Sequence, residues 1–145
     1  MKKITLFVLV SIMVLFSSCA ENGQLPSIKE LDAACAFSKY EALRDSAKLA
    51  YMVSAYESDK PLADVNALTD EIKGVSKKIV SDCMDSLYME YSDKTVSEMV
   101  YAYKKVKLDN KDDVYKFLEN SASYEIMMAI ARQIEVKTYT KTLIQ

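Results

Sequence analysis

The fold is decided by one segment, residues 27–57, which reads SIKELDAACAFSKYEALRDSAKLAYMVSAYE. Ser27 and Glu30 form a capping-box pattern, in which a hydroxyl and a carboxylate each satisfy a backbone N–H at the start of a helix. Apolar residues then recur at steps of three, four or seven residues, which is the spacing of one helical face. The segment therefore predicts a long amphipathic helix. Its predicted buried stripe consists of Ile28, Leu31, Cys35, Ala42, Leu49, Val53 and Tyr56.

A second helix is predicted from about residue 62 to 91. Pro61 disfavours helical backbone in the residue before it, so the first helix should end at a turn over residues 58–61. Two helices joined by so short a turn should pack as a long antiparallel hairpin. The predicted buried stripe of the second helix consists of Val65, Leu68, Ile72, Val75, Ile79, Cys83 and Leu87.

The rest of the chain predicts two or three further helices. Thr95 and Glu98 make a second capping box, which should open a third helix. A fourth helix either breaks at residues 120–121 or runs on, and the β-branched residues within 136–144 fit a frayed helix or an added strand. Only two Gly and two Pro occur in 145 residues, whereas tight turns use both heavily. The predicted fold class is all-α, a compact bundle of four to five helices.

The N-terminus has the pattern of a secretory signal peptide. Lys2 and Lys3 precede an apolar run over residues 4–16, and small residues follow it. This run is too short to cross a hydrocarbon core of roughly 30 Å, which needs about 20 residues in a helix. We therefore expect residues 1–18 to be removed.

The end of that run resembles a known processing motif. Phe16-Ser17-Ser18-Cys19 resembles the lipobox of bacterial lipoproteins, in a loose form that suggests the Bacteroidota. The resemblance implies cleavage before Cys19 and acylation of that cysteine, which would hold the protein in the cell envelope. Ala20 in place of Asp implies sorting to the outer membrane, on either its periplasmic or its outer side. Residues 19–26 would then be the lipidated cysteine with a polar tether, and residues 27–145 the helical domain.

The other two cysteines, Cys35 and Cys83, are predicted to form a disulfide. They are equidistant from residue 59, inside the predicted turn, and both lie on predicted buried stripes. In antiparallel helices with equal rise, such residues lie side by side, and disulfides persist in exported proteins. The alternative is a pair of buried free thiols that pack as small core residues.

The composition excludes several classes of activity. The chain has no histidine, which removes Ser-His-Asp and Cys-His catalysis and the commonest metal ligand. Two glycines cannot build a phosphate-binding loop, and we expect no metal site and no cofactor. Loss of residues 1–18 would leave 17 basic residues (19 less Lys2 and Lys3) against 21 acidic ones. That balance argues against nucleic acid as a partner.

A cluster of tyrosines and methionines is the predicted partner surface. Tyr is common at recognition surfaces because it combines a large contact area with a polar tip, and Met adapts to varied partners. The alternative is that these side chains border the core of the bundle. The cluster consists of Tyr88, Tyr91, Tyr101, Tyr103, Met84, Met89 and Met99.

Three functions remain open from the sequence. The first is a lipid-anchored module that binds another envelope protein or a peptide, with inhibitor and immunity proteins as a subclass. The second is a structural or assembly accessory of an envelope complex. The third is an enzyme that uses carboxylates and tyrosine, which would need a pocket with at least two converging acids.

Overall fold

Helices form all the regular structure of the described residues. The computed structural model describes residues 25–58 and 65–144, where the helices are α1 (Ile28–Glu57), α2 (Val65–Glu90), α3 (Asp93–Lys104) and α4 (Lys111–Ile144). This confirms the predicted all-α bundle. The predicted signal peptide, Cys19 and most of the turn at residues 58–61 lie outside the described residues. Within the described part of the chain, no helix is both long and apolar enough to cross a membrane.

The contacts divide the chain into two units, Met1–Leu31 and Asp32–Gln145. Residues 25–31 are the described part of the first unit. Here the backbone N–H of Ser27 donates to Glu30 Oε2 at 2.6 Å, and the N–H of Glu30 donates to Ser27 Oγ at 3.3 Å. These bonds from Ser27 lower the pKa of Glu30. The predicted capping box is therefore confirmed.

In the second unit, α1 and α2 run antiparallel, as predicted. The Tyr51 hydroxyl donates to Glu71 Oε1 at 2.6 Å, while Lys39 Nζ, nearer the start of α1, donates to the Asp82 carbonyl at 2.7 Å. The Tyr91 hydroxyl, at the end of α2, donates to Asp32. As residue numbers fall along α1, those of their partners on α2 rise.

Helix α4 runs parallel to α1. The hydroxyl of the buried Tyr40 donates to the Leu118 carbonyl at 2.9 Å, and Lys48 Nζ lies 3.3 Å from Glu125 Oε2. Further along, Lys137 donates to a carbonyl at the end of α1. Burial raises the pKa of Tyr40, because the ionised phenolate is disfavoured away from water.

The stripe predicted for α2 is the buried one. Ile72, Ile79, Cys83 and Leu87 are all buried, at the four- and seven-residue steps of one helical face. The core draws on residues of all four helices. Its largest fully buried members are Tyr40, Phe37, Ile72, Met84, Leu118 and Ile126.

The stripe predicted for α1 is wrong, because all seven of its residues are exposed. The helix instead buries Ala33, Ala36, Phe37 and Tyr40. These four residues belong to the main core cluster, together with residues of the other three helices. The prediction followed the branched aliphatic residues, which here form the outer face of α1.

The last two helices correct the predicted boundaries. Ser92, not Thr95, is the N-cap of α3, and its side chain accepts from the Thr95 N–H at 3.3 Å. Asn110 caps α4 in the same way, accepting from the Asp113 N–H at 3.0 Å. Helix α4 continues unbroken through residues 120–121 and 136–144. Of the predicted alternatives, the helix that runs on is therefore correct, and the break and the added strand are wrong.

Candidate functional site

The tyrosine and methionine cluster does not form one surface. Met84 and Met99 are buried in the core, and Tyr88 is partly buried against it. Burial is the main cause that raises the pKa of Tyr88 to about 12. Met84 and Met99 are therefore not accessible to a partner, because the helix faces that carry them pack against the other helices. Tyr88 lies at the border of the core.

The remaining members of the cluster are at least partly accessible. Met89 is 87% exposed, and Tyr101 and Tyr103 are also exposed. The ring of Tyr103 stacks on Phe37, with centroids 4.8 Å apart, so one of its faces is used within the bundle. Tyr91 is partly buried, and its bond to Asp32 is the main cause that raises the pKa of its hydroxyl to about 12.

The predicted disulfide between Cys35 and Cys83 is absent. Both cysteines are free thiols, Cys35 exposed and Cys83 buried. The alternative of two buried thiols is therefore correct for Cys83 alone. Burial raises the pKa of Cys83, since a low-dielectric environment disfavours the thiolate.

The register of the hairpin explains the missing bridge. Tyr51 bonds to Glu71 and Lys39 to Asp82, so the two helices are centred near residue 61, whereas the prediction placed the centre at residue 59. A centre displaced by two residues offsets the facing positions by four, about one helical turn or 6 Å. Disulfides need Cα atoms within roughly 7 Å and converging side chains, whereas Cys35 is exposed and Cys83 is buried.

Both cysteines nevertheless line the same groove between α1 and α2. Its cavity has a volume of about 270 Å³, slightly below the roughly 300–1,000 Å³ of small-molecule sites. A cavity of this size suits one or two side chains of a partner better than a whole cofactor. Its lining consists of Asp32, Cys35, Ala36, Lys39, Asp82, Cys83, Ser86, Leu87 and Glu90.

The groove has an apolar floor. Ala36, Cys83 and Leu87 are 8%, 2% and 4% exposed, and each contributes to the wall of the cavity. Ala36 comes from α1, and Cys83 and Leu87 come from α2. Apolar groups brought against this floor would lose contact with water, which favours binding.

The rim of the groove is polar and predominantly acidic. Asp32, Asp82 and Glu90 contribute three carboxylates, and Lys39 contributes the one ammonium group among the lining residues. Lys39 is held in place by its bond to the Asp82 carbonyl, and Asp32 by the hydroxyl of Tyr91. The lining therefore carries a net charge of about −2 at neutral pH.

The groove was not predicted from the sequence, although its two cysteines and Tyr91, which bonds to Asp32 at its rim, were singled out. Asp32, Lys39 and Glu90 look like ordinary surface residues of charged helices, and nothing in their spacing marks them. The usable signal was the hairpin itself, because an antiparallel pairing in the correct register brings residues 32–39 against residues 82–90. Because the predicted register between α1 and α2 was offset by about one helical turn, these residues were not predicted to lie together.

Among the described residues, no group of three or more histidine, cysteine or acidic side chains is arranged to hold a metal ion. No protein-family model matches the chain, and neither a curated protein nor a solved structure matches it.

Proposed function

We propose that this chain is a lipid-anchored envelope protein whose helical bundle binds a protein or peptide in the groove between α1 and α2. The anchor rests on the lipobox-like Phe16-Ser17-Ser18-Cys19. Two or three acyl chains on Cys19 would attach the protein stably to a membrane, the outer membrane in this proposal. The tether over residues 20–26 would let the bundle meet partners near that surface.

The observation that carries the binding role is the groove. It combines a buried apolar floor with a charged rim, and its volume of about 270 Å³ suits a side chain that projects from a partner. Binding pockets typically join apolar walls to a few placed polar groups. The floor would supply affinity, while the carboxylates and Lys39 would orient the bound segment.

Accessible residues near the end of α2 extend this surface. Glu90 lines the groove and Met89 is 87% exposed, while Tyr91 bonds to Asp32 at the rim. Exposed methionine suits contact with varied partner surfaces. Of the predicted cluster, Met89 and Tyr91, at the C-terminal end of α2, are therefore the residues that we assign to partner binding.

Site-specific photo-cross-linking in intact cells tests the proposal. A benzophenone amino acid replaces Ser86, which is exposed and lines the groove, and in a control strain it replaces Lys77, which is exposed on the same helix outside the groove. We expect one dominant cross-linked partner from position 86 and none from position 77. Equal capture from both positions, or no capture from either, would overturn the proposal.

A structural accessory of an envelope complex is the second candidate, and the outer face of α1 favours it. Leu49, Val53 and Tyr56 are 62%, 47% and 60% exposed, at successive positions along one face. Contiguous exposed apolar residues often mark interaction sites. If this candidate is correct, the protein co-purifies at fixed stoichiometry with its complex. Leu49→Glu with Val53→Glu would abolish that association, and changes in the groove would not.

A further inference from the structure

The groove has a chemistry that selects among partner segments, and this inference rests on the proposed function. Its floor is formed by Ala36, Cys83 and Leu87, which bury apolar surface, and its rim holds three carboxylates against one ammonium group. We propose that the groove recognises a lysine or arginine side chain presented by the partner.

The shape of the groove matches such a side chain. Lysine and arginine bury their methylene stems along apolar surfaces while the charged head stays in a polar environment. Ala36 and Leu87 would contact the stem, and the buried thiol of Cys83, 2% exposed, lines the same cavity as a small apolar surface. The head group would then reach the carboxylates at the rim.

The carboxylates keep the capacity to bind a cation. Asp32 accepts the hydroxyl of Tyr91, but a carboxylate has about four acceptor sites on its two oxygens. Lys39 donates to the backbone carbonyl of Asp82 at 2.7 Å, a bond that fixes the ammonium group at one side of the groove. Hydrogen bonds between an ammonium or guanidinium group and a carboxylate are stronger than neutral ones, so the excess of carboxylates favours a basic ligand over an acidic one.

Cys35 is a built-in reporter of this selectivity, because it is exposed and lines the groove while Cys83 is buried. Its thiolate attacks the sulfenyl sulfur of a methanethiosulfonate, which forms a mixed disulfide and releases methanesulfinate. Reagents with a trimethylammonium-ethyl, a methyl or a sulfonatoethyl group carry positive, neutral and negative charge through the same chemistry. The rates at which they react with Cys35 therefore report the electrostatic potential at the groove.

The rates are measured on the full lipidated chain in a neutral detergent, and each is divided by the rate with free 2-mercaptoethanol. A Cys35→Ser variant measures the background reaction of each reagent with the rest of the chain. At low ionic strength we expect the normalised rate of the cationic reagent to be about ten times that of the anionic one. This ratio of rates should fall as salt is added. The combined variant Asp32→Asn, Asp82→Asn and Glu90→Gln should bring the ratio near one, while Asp109→Asn, in an exposed loop, should leave it unchanged.

If the cationic reagent reacted with the wild-type chain no faster than the anionic one, the inference would be overturned. The proposed binding function would not be affected by that result. The photo-cross-link at position 86 gives an independent check, because mass spectrometry identifies the partner residues captured there. A Lys or Arg within the captured segment supports the inference, and an acidic or wholly apolar segment contradicts it. Loss of the cross-link itself would instead count against the proposed function.

Discussion

Helices α1 and α2 belong to one hairpin and have similar lengths, yet the sequence specifies their buried faces with unequal clarity. In α2 the apolar residues Ile72, Ile79 and Leu87 follow one face, and that face is buried. In α1 large apolar residues occur on two faces, and the face with Leu49 and Val53 is exposed to solvent. A helix with a single apolar stripe has one face to bury, whereas in a helix with two such stripes the contacts with neighbouring helices decide which face is buried.

The comparison is tested most strongly by two methionines of α2. Met84 is fully buried and Met89 is 87% exposed. We expect Met84→Ala to lower the free energy of unfolding by about 2–5 kcal/mol, because it leaves a cavity in the core. Met89→Ala should change it by less than about 0.5 kcal/mol. Urea denaturation followed by circular dichroism measures both, and similar losses for the two variants would contradict the assigned faces.

Alkaline pH should weaken the contacts between the helices. The pKa values of Tyr51, Tyr88 and Tyr91 are raised to about 12, against about 10 in an unfolded chain. A raised pKa in the folded state favours the protonated form there, so the stabilisation is complete below pH 10 and is lost as the pH rises through 12. We expect the free energy of unfolding to fall over this range, with tyrosinate absorbance appearing as the chain unfolds.

The alkaline effect can be assigned with phenylalanine variants. Tyr51→Phe and Tyr91→Phe remove hydroxyls that join α1 to α2, and each should reduce the loss of stability between pH 10 and 12. Tyr139→Phe is the control, since Tyr139 is 68% exposed near the end of α4. An unchanged pH dependence in the first two variants would show that these tyrosines do not couple folding to pH.

A smaller effect is expected from one hydroxyl on the buried face of α1. Tyr40 is fully buried and donates to the Leu118 carbonyl at 2.9 Å. Tyr40→Phe should lower the free energy of unfolding by about 1 kcal/mol, the usual net contribution of such a bond. Tyr56→Phe, at a position 60% exposed on the same helix, should have no measurable effect in the same urea titration. Equal effects would place Tyr40 and Tyr56 in similar environments, contrary to the structure.

The sequence was sufficient for the helical content, the hairpin and the buried stripe of α2, since each depends on local spacing and few breakers. It was not sufficient for the register between α1 and α2. Cys35 and Cys83 were paired by counting from an assumed turn, but the register is fixed by contacts between helices, such as Tyr51 with Glu71. The groove depends on that register, so the wrong register also prevented its prediction.

The smallest effect should come from the outer face of α1. Leu49→Ala removes a side chain that is 62% exposed, and alanine has the highest helix propensity, so the free energy of unfolding should change by less than about 0.5 kcal/mol. Leu118→Ala, at a fully buried position of α4, is the matched control and should cost about 2–5 kcal/mol. If Leu49→Ala also destabilised the purified chain by more than about 2 kcal/mol, this leucine would be buried in solution. The face of α1 predicted from the sequence would then be the correct one after all.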